Sequence, residues 1–289
     1  MTFIRFDRTD LKVDDLLLGD VALVSPPEVY ARLTHLLENA EATLTAVVGV
    51  IEHDPALAAR LLRLANSPFF ALLRPVLNVS EAIALIGIQE LKQLVLATEV
   101  IRHFDGIPAN LIDIYAFWRQ SVRCAVLARL LADRRSPPLD ADAMFVAALL
   151  HGVGHLVIYA RLPELGRKTL LEHRYRGEPL YAMQREFIGF DYAQVGEALA
   201  RRWRLPELFR CVIAWHIHPE QAESHGAEAA LVHLALAAGR APSFDREQVR
   251  DFLPRESRPW ELAGITHAML EDALSEAEQD FLAALALLR

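Results

Sequence analysis

The chain has 289 residues, of which 53% are hydrophobic, a formal net charge of −8 and a mean hydropathy of +0.19. Such a composition excludes a disordered chain and is enough to fill one large domain or two small ones. With 38 acidic against 30 basic side chains, a nonspecific nucleic-acid binder is disfavoured and no nucleic-acid partner is expected.

Residues 1–7, Met-Thr-Phe-Ile-Arg-Phe-Asp, contain no apolar run of signal-peptide length. Ser25-Pro26-Pro27-Glu28 has the form of a capping box with proline in the first turn, and the helix it opens runs to about Asn39. Thr43 or Thr45 begins a second helix ending near His53. Asp54-Pro55 caps a third, with Leu57, Leu61 and Leu64 on one face and Asn66-Ser67-Pro68 as its stop. Ser80 opens a helix to Ile86, Gly87 interrupts it, and Ile88 to Phe104 is helical again. A second block starts near Leu111 with a helix to about Leu131, and Asp140 caps one that ends at His151. Helices follow from Pro163 to Tyr175, Pro179 to Phe187, Asp191 to Trp203, Pro206 to about His216 and Ala227 to Ala238. Residues 241–260 are rich in proline and charge, and two last helices are expected near Thr266 and Ser275. Only Val21–Val24 and Val76–Val79 are β-like, and no repeat is evident. The expected class is all-α.

Ala143 to Ala160 carries no Asp, Glu, Lys or Arg and approaches membrane-spanning length. Its two histidines, its two glycines and the flanking Asp142 and Arg161 favour a buried core helix and its turn. A soluble, cytoplasmic chain with no membrane contact is expected. Cys124 and Cys211 lie far apart, without metal-ligand spacing, as free thiols of a reducing compartment do.

Residues 149–155 read Leu-Leu-His-Gly-Val-Gly-His. This resembles the LLHDIGK signature of the HD superfamily, with Gly152 in the position of the metal-binding aspartate. Glu52-His53-Asp54-Pro55 through Ala65-Asn66-Ser67, then Pro68-Phe69-Phe70, resembles the opening of the HDOD family, the HD-related output domain of bacterial signalling. Further spaced matches are the stretch around Gly87, Phe117-Trp118-Arg119-Gln120-Ser121, Gly196, Trp203-Arg204-Leu205-Pro206 and Ile213-Ala214-Trp215-His216. The resemblance spans roughly residues 20–240. It implies an N-terminal helical bundle packed on an HD-like bundle, and a role in signal transduction, commonly without catalysis. The expected division is residues 1–110, 111–240 and a C-terminal helical extension, 241–289.

In HD hydrolases a divalent metal lowers the pKa of a bound water so that hydroxide attacks a phosphoester. Carried over by resemblance, the ligand positions hold Gln120, His151 beside Gly152, His155 in place of the lysine, Tyr192, His216 beside Ile217, and Leu236. A catalytic site needs about three protein ligands and an open position. The inherited site does not supply them, so no metal, cofactor or catalytic residue is expected. If a metal were bound, a rebuilt site would use His151 and His155, one turn apart on a continuing helix, with His216 or His218. Gly152 and Gly154 instead suggest that the helix ends there.

Gln120, His151, His155, Tyr192 and His216 remain candidates for the lining of a vestigial polar pocket. Phe69 and Phe70 are core or interdomain residues by default and a partner-binding patch otherwise. The basic residues of 167–176 and 201–210 read as solvated helix faces with Glu164, Glu172 and Glu197 as partners. The expected function is a non-catalytic output module that binds proteins of a signalling pathway. The rivals are a phosphohydrolase with a rebuilt histidine site and a small-molecule (nucleotide) sensor.

Overall fold

Aspartate side chains start many of the helices. Asp54, Asp113, Asp140, Asp191 and Asp245 each accept backbone N–H groups of the first turn, as do Thr43, Asn78 and Thr266. Each cap is worth about 1 kcal/mol. A computed structural model describes residues 11–18, 26–39, 42–66, 70, 74–104, 107 and 111–288. Its helices are α1 (Val13–Leu16), α2 (Glu28–Leu37), α3 (Leu44–Glu52), α4 (Pro55–Ala65), α5 (Val79–Ile86) and α6 (Ile88–His103). Then come α7 (Ile114–Arg134), α8 (Ala141–Leu150), α9 (Val153–Arg161), α10 (Pro163–Arg176), α11 (Leu180–Ile188), α12 (Tyr192–Arg202) and α13 (Glu207–Trp215). The last are α14 (Gly226–Gly239), α15 (Arg246–Arg250), α16 (Arg258–Ala263) and α17 (His267–Ala284), with 3-10 turns at Pro219–Gln221 and Leu285–Leu288. No strand occurs among the described residues, and the protein is all-α.

Helix α7 is the axis. From Trp118 to Ala132 nearly every residue is buried, which is the pattern of a helix surrounded on all sides. It packs against α8, α14 and α17. Helices α2 to α6 form the N-terminal group, joined to the rest by α6 against α8. The terminal 3-10 turn reaches α4, α6 and α7, and the buried apolar residues form one connected cluster from Leu16 to Ala284.

Several sequence expectations are corrected. Asn78, not Ser80, caps α5, because its side chain accepts the Glu81 N–H at 2.9 Å. Pro27 is the N-cap of α2 and makes no side-chain cap, while Ser25 lies outside the described residues. The two last helices are one. Leu270, Ala273, Leu274, Ala277, Phe281 and Ala284 keep a continuous buried stripe, and Ser275, exposed, bonds back to the Asp272 carbonyl. The proline- and charge-rich segment contains the short helices α15 and α16.

The apolar run from Ala141 to Arg161 is long enough to cross a membrane by length and composition, but it is almost wholly buried in the core. It is two helices. Helix α8 stops at His151, as expected, and α9 restarts at Val153. Gly154 then lies against α12: a Cβ there would stand 1.9 Å from the Tyr192 carbonyl oxygen and 2.6 Å from the Gly196 nitrogen. A Cβ on Gly196 would meet Ile213 Cγ2 at 2.7 Å. The helix backbones touch because no side chain separates them.

Gly154→Ala is expected to destabilise the chain by about 3 kcal/mol or more, since backbone rather than a flexible side chain must move. Gly49→Ala, in an exposed part of α3 with open space around it, is expected to stabilise by about 0.5–1 kcal/mol. Urea unfolding of the two variants measures both, and equal effects would refute the close-approach argument.

Candidate functional site

Of the five residues singled out for a vestigial pocket, His151, His155, Tyr192 and His216 gather at the junction of α8, α9, α12 and α13. His151 caps the C-terminus of α8 and is 6% exposed. Its Nδ1 lies 2.6 Å from the Ala148 carbonyl, so Nδ1 carries the proton and donates. His216, fully buried at the end of α13, has Nδ1 at 3.1 and 3.0 Å from the Val212 and Ile213 carbonyls. Its Nδ1 is likewise the donor, and its Nε2 accepts the Tyr192 hydroxyl at 2.8 Å. The His216 carbonyl in turn accepts from His233 Nδ1 at 2.8 Å.

His155 is held differently. Its ring stacks on Tyr192 with centroids 3.7 Å apart and planes 16° from parallel. Gln184 Oε1 accepts the Tyr192 backbone N–H at 3.0 Å, which fixes the Gln184 amide orientation. The Gln184 nitrogen therefore donates to His155 Nδ1, 3.1 Å away, and the His155 proton sits on Nε2. The His151 and His155 rings are not an i, i+4 pair on one helix, because the break at Gly152 separates α8 from α9. His151 turns instead to His216, edge to face at 5.1 Å between centroids. His218 turns to Glu220 and Tyr181.

Among the imidazole nitrogens, His216 Nε2 and His155 Nδ1 have their lone pairs engaged, and His151 Nε2 has no hydrogen-bond partner among the described residues. At Gly152, a Cβ would stand 3.2 Å from Phe117 Cζ and 3.8 Å from His155 Cδ2. The Phe117 ring thus crowds the place from which an aspartate side chain would start. Gln120 is on α7, its amide nitrogen sealed from solvent and without a partner. The described residues contain no group of three or more His, Cys, Asp or Glu side chains arranged to hold a metal ion.

Burial keeps the imidazoles neutral. It pushes the His151 pKa down to about 4 and that of His155 to about 3, with neighbouring positive charge as a smaller cause. His216 is lowered well below its ordinary value by the same burial. Burial also raises Tyr192, so its hydroxyl keeps the proton it donates.

Sequence reasoning missed Gln184, Phe117 and the support behind them. Asp191, fully buried, caps α12 and takes Arg185 Nε at 2.6 Å. The Asp191-x-x-Gln194 capping box was readable as a motif. Gln184 had no local signal beyond a polar residue beside Met183 on a buried face. Phe70 is partly buried on the core with Arg129 over its ring at 5.8 Å, and Phe69 lies outside the described residues.

An all-helical HD-like bundle with a histidine cluster defines the class. The HDOD domain model matches residues 23–219, and the chain belongs to the HDOD domain family. A candidate phosphohydrolase from Shewanella amazonensis SB2B has a similar structure, with a TM-score of 0.72 and 25% identity, over 95% of this chain and 96% of that one. An HDOD domain protein of unknown function from Geobacter sulfurreducens matches with a TM-score of 0.69 and 21% identity, over 90% and 92% of the two chains. In sequence, an uncharacterized protein of Treponema pallidum (strain Nichols) is 28% identical over 193 residues, which is 66% of this chain and 36% of that protein. The chain therefore spans about a third of the length of that curated relative.

The neutral imidazoles give a pH dependence of known sign. In the unfolded chain histidine binds its proton near 6.5, whereas the folded His151 and His155 resist it to about 4 and about 3. Their contribution is complete above 6.5 and is lost as pH falls from there toward 4, because the unfolded state then binds more protons. Urea unfolding at stepped pH is expected to show falling stability through that window. Imidazole resonances of His151 or His155 titrating near 6.5 would contradict it.

Proposed function

We propose that this chain is a non-catalytic output module that acts by binding protein partners in a signalling pathway. The observation that carries this reading is the use of the site's lone pairs. His216 Nε2 receives the Tyr192 hydroxyl, His155 Nδ1 receives the Gln184 amide, and Gly152 offers no carboxylate beside the Phe117 ring. A hydrolytic centre needs about three ligands and an open position for water. This donor set does not fit one, and no reaction step is derived through a metal.

Family membership supports the signalling role, and a candidate signal transduction protein from Marinobacter aquaeolei VT8 shares the fold, with a TM-score of 0.70 at 20% identity. The working part, on this reading, is the outer surface and the seam where α6 meets α8, not the imidazole cluster. A partner acts by engaging that surface or by shifting the N-terminal helices against the rest.

Metal analysis of tag-free protein grown with zinc, iron, manganese and nickel is expected to give far less than one ion per chain. Assays with phosphomonoester and phosphodiester substrates in added manganese are expected to show no turnover above that of Gly152→Ala. Stoichiometric metal, or turnover lost in His151→Ala, would overturn the proposal. Gly152→Asp is expected to cost about 1–3 kcal/mol through crowding of Phe117 and burial of an unpaired carboxylate, without conferring activity. Phe117→Ala in the same chain should recover the crowding part.

A further inference from the structure

Helix α10 turns one face inward and leaves the other bare. Gly166 and Thr169 are buried, and a Cβ on Gly166 would stand 2.8 Å from Tyr159 Cδ1, so the backbone of α10 is seated close on α9. Helix α11 holds it from the side: Arg176 pairs with Glu186 at 2.9 Å, and Lys168 Nζ lies 4.2 Å from the centre of the Phe187 ring. The outward face is therefore presented by a fixed helix.

At the helical spacing, Arg167, Leu171, Arg174 and Tyr175 fall within about 100° of arc. All are exposed, Leu171 by 59% and Tyr175 by 89%. A single exposed leucine needs no explanation. Here two large side chains one turn apart are bare and have cations beside them. Of the acidic residues expected to pair with the basic groups of this helix, Glu172 takes Arg176 at 2.9 Å. Arg167 and Arg174 make no ion pair and no hydrogen bond with any described residue. Two unpaired cations on one short stripe run against the net charge of −8 of the chain.

A short apolar seam with charges along its edge is how one helix selects another: the seam supplies burial, and the edge charges set the sign of the partner. We propose that this face of α10 is the docking surface for an acidic amphipathic helix of a protein partner. That helix lays two apolar side chains on Leu171 and Tyr175 and sets carboxylates on Arg167 and Arg174. The proposal rests on the protein-binding reading above and gives it a place on the molecule. Tyrosine and arginine are the residue types that most often dominate such contacts, and an arginine can take a carboxylate through two parallel bonds. Glu164, exposed on the same face one turn before Arg167, repels an acid there, so the partner's carboxylates belong toward the C-terminal half of α10. A membrane or a nucleic acid is a weaker match. Either extends its negative charge far beyond the stripe and meets the acidic whole of the chain, whereas a short helix meets only the local field.

The test uses the full chain and a fluorescein-labelled helical peptide with two leucines one turn apart and glutamates beside them, read by fluorescence anisotropy. Saturable binding is expected, weakened about tenfold in Tyr175→Ala and about tenfold or more in Arg174→Glu. A peptide with serine for its leucines, or with lysine for its glutamates, should not bind. The double variant Arg167→Glu, Arg174→Glu should take the lysine peptide instead, because reversing both signs restores the match. Absence of saturable binding by the glutamate peptide, or affinity unchanged in Tyr175→Ala and Arg174→Glu, overturns the site. So does tighter binding of the chain to phosphatidylserine vesicles or to single-stranded RNA that the same variants abolish, or self-association that they abolish. These side chains are exposed, so the variants should unfold at the parent's temperature, which separates lost binding from lost fold. The metal and turnover measurements test the protein-binding reading separately: a failed peptide titration beside metal-free, inactive protein removes this surface and leaves that reading standing.

Discussion

The contact of α9 with α12 at Gly154 governs the rest of the site. With no Cβ at that position, the Tyr192 carbonyl comes within 1.9 Å of where one would be. That approach lays the His155 ring flat on Tyr192 and leaves the Tyr192 hydroxyl on His216 Nε2. Gln184 binds both members of the stack, one through its oxygen and one through its nitrogen. An alanine-sized spacer would part the helices, and each of these hydrogen bonds would lose its geometry. Backbone proximity is thus converted into a fixed set of tautomers.

Those tautomers decide what the imidazoles can do. A histidine whose Nδ1 donates to a carbonyl has only Nε2 left for other work. In His216 that nitrogen is already an acceptor, and in His155 the nitrogen facing Gln184 is taken. Burial then holds the rings neutral, so they serve as hydrogen-bonding groups and not as acids near neutral pH. A buried polar network with its bonds made tends to hold its helices in one register. Here its hydrogen bonds join α9, α11, α12 and α13.

Much of the fold was legible because its signals are local. Asp54-Pro55, Asp140 and Asp191 each mark a helix start through a side chain that reaches only two or three residues ahead. Gly152 was legible as a position without a side chain where the resemblance implies an aspartate, since a missing side chain needs no structure to interpret. The restart of α9 at Val153 was not, because Gly154 reads as a breaker until its contact with α12 is known. The break expected before Ser275 failed for the opposite reason: a local cap signal lost to a buried stripe running the length of α17. Gln184, Phe117 and the hydrogen bonds from Arg123 to the Gly239 and Ala241 carbonyls depend on pairs up to 118 residues apart, which no window along the chain can contain.

The buried polar atoms without partners lie on the N-terminal helices and on α7 and α13 alike. Around Tyr192 and His216 the hydrogen bonds close on one another, whereas Arg60 Nε and Nη2 on α4, Gln93 Oε1 on α6, Trp118 Nε1 and Gln120 Nε2 on α7 and Arg210 Nε on α13 find no partner among the described residues. The nearest carboxylate to Arg60, that of Glu99, stands 3.8 Å away, inside ion-pair range but too far for a hydrogen bond. Each such group lowers the cost of an arrangement that would satisfy it.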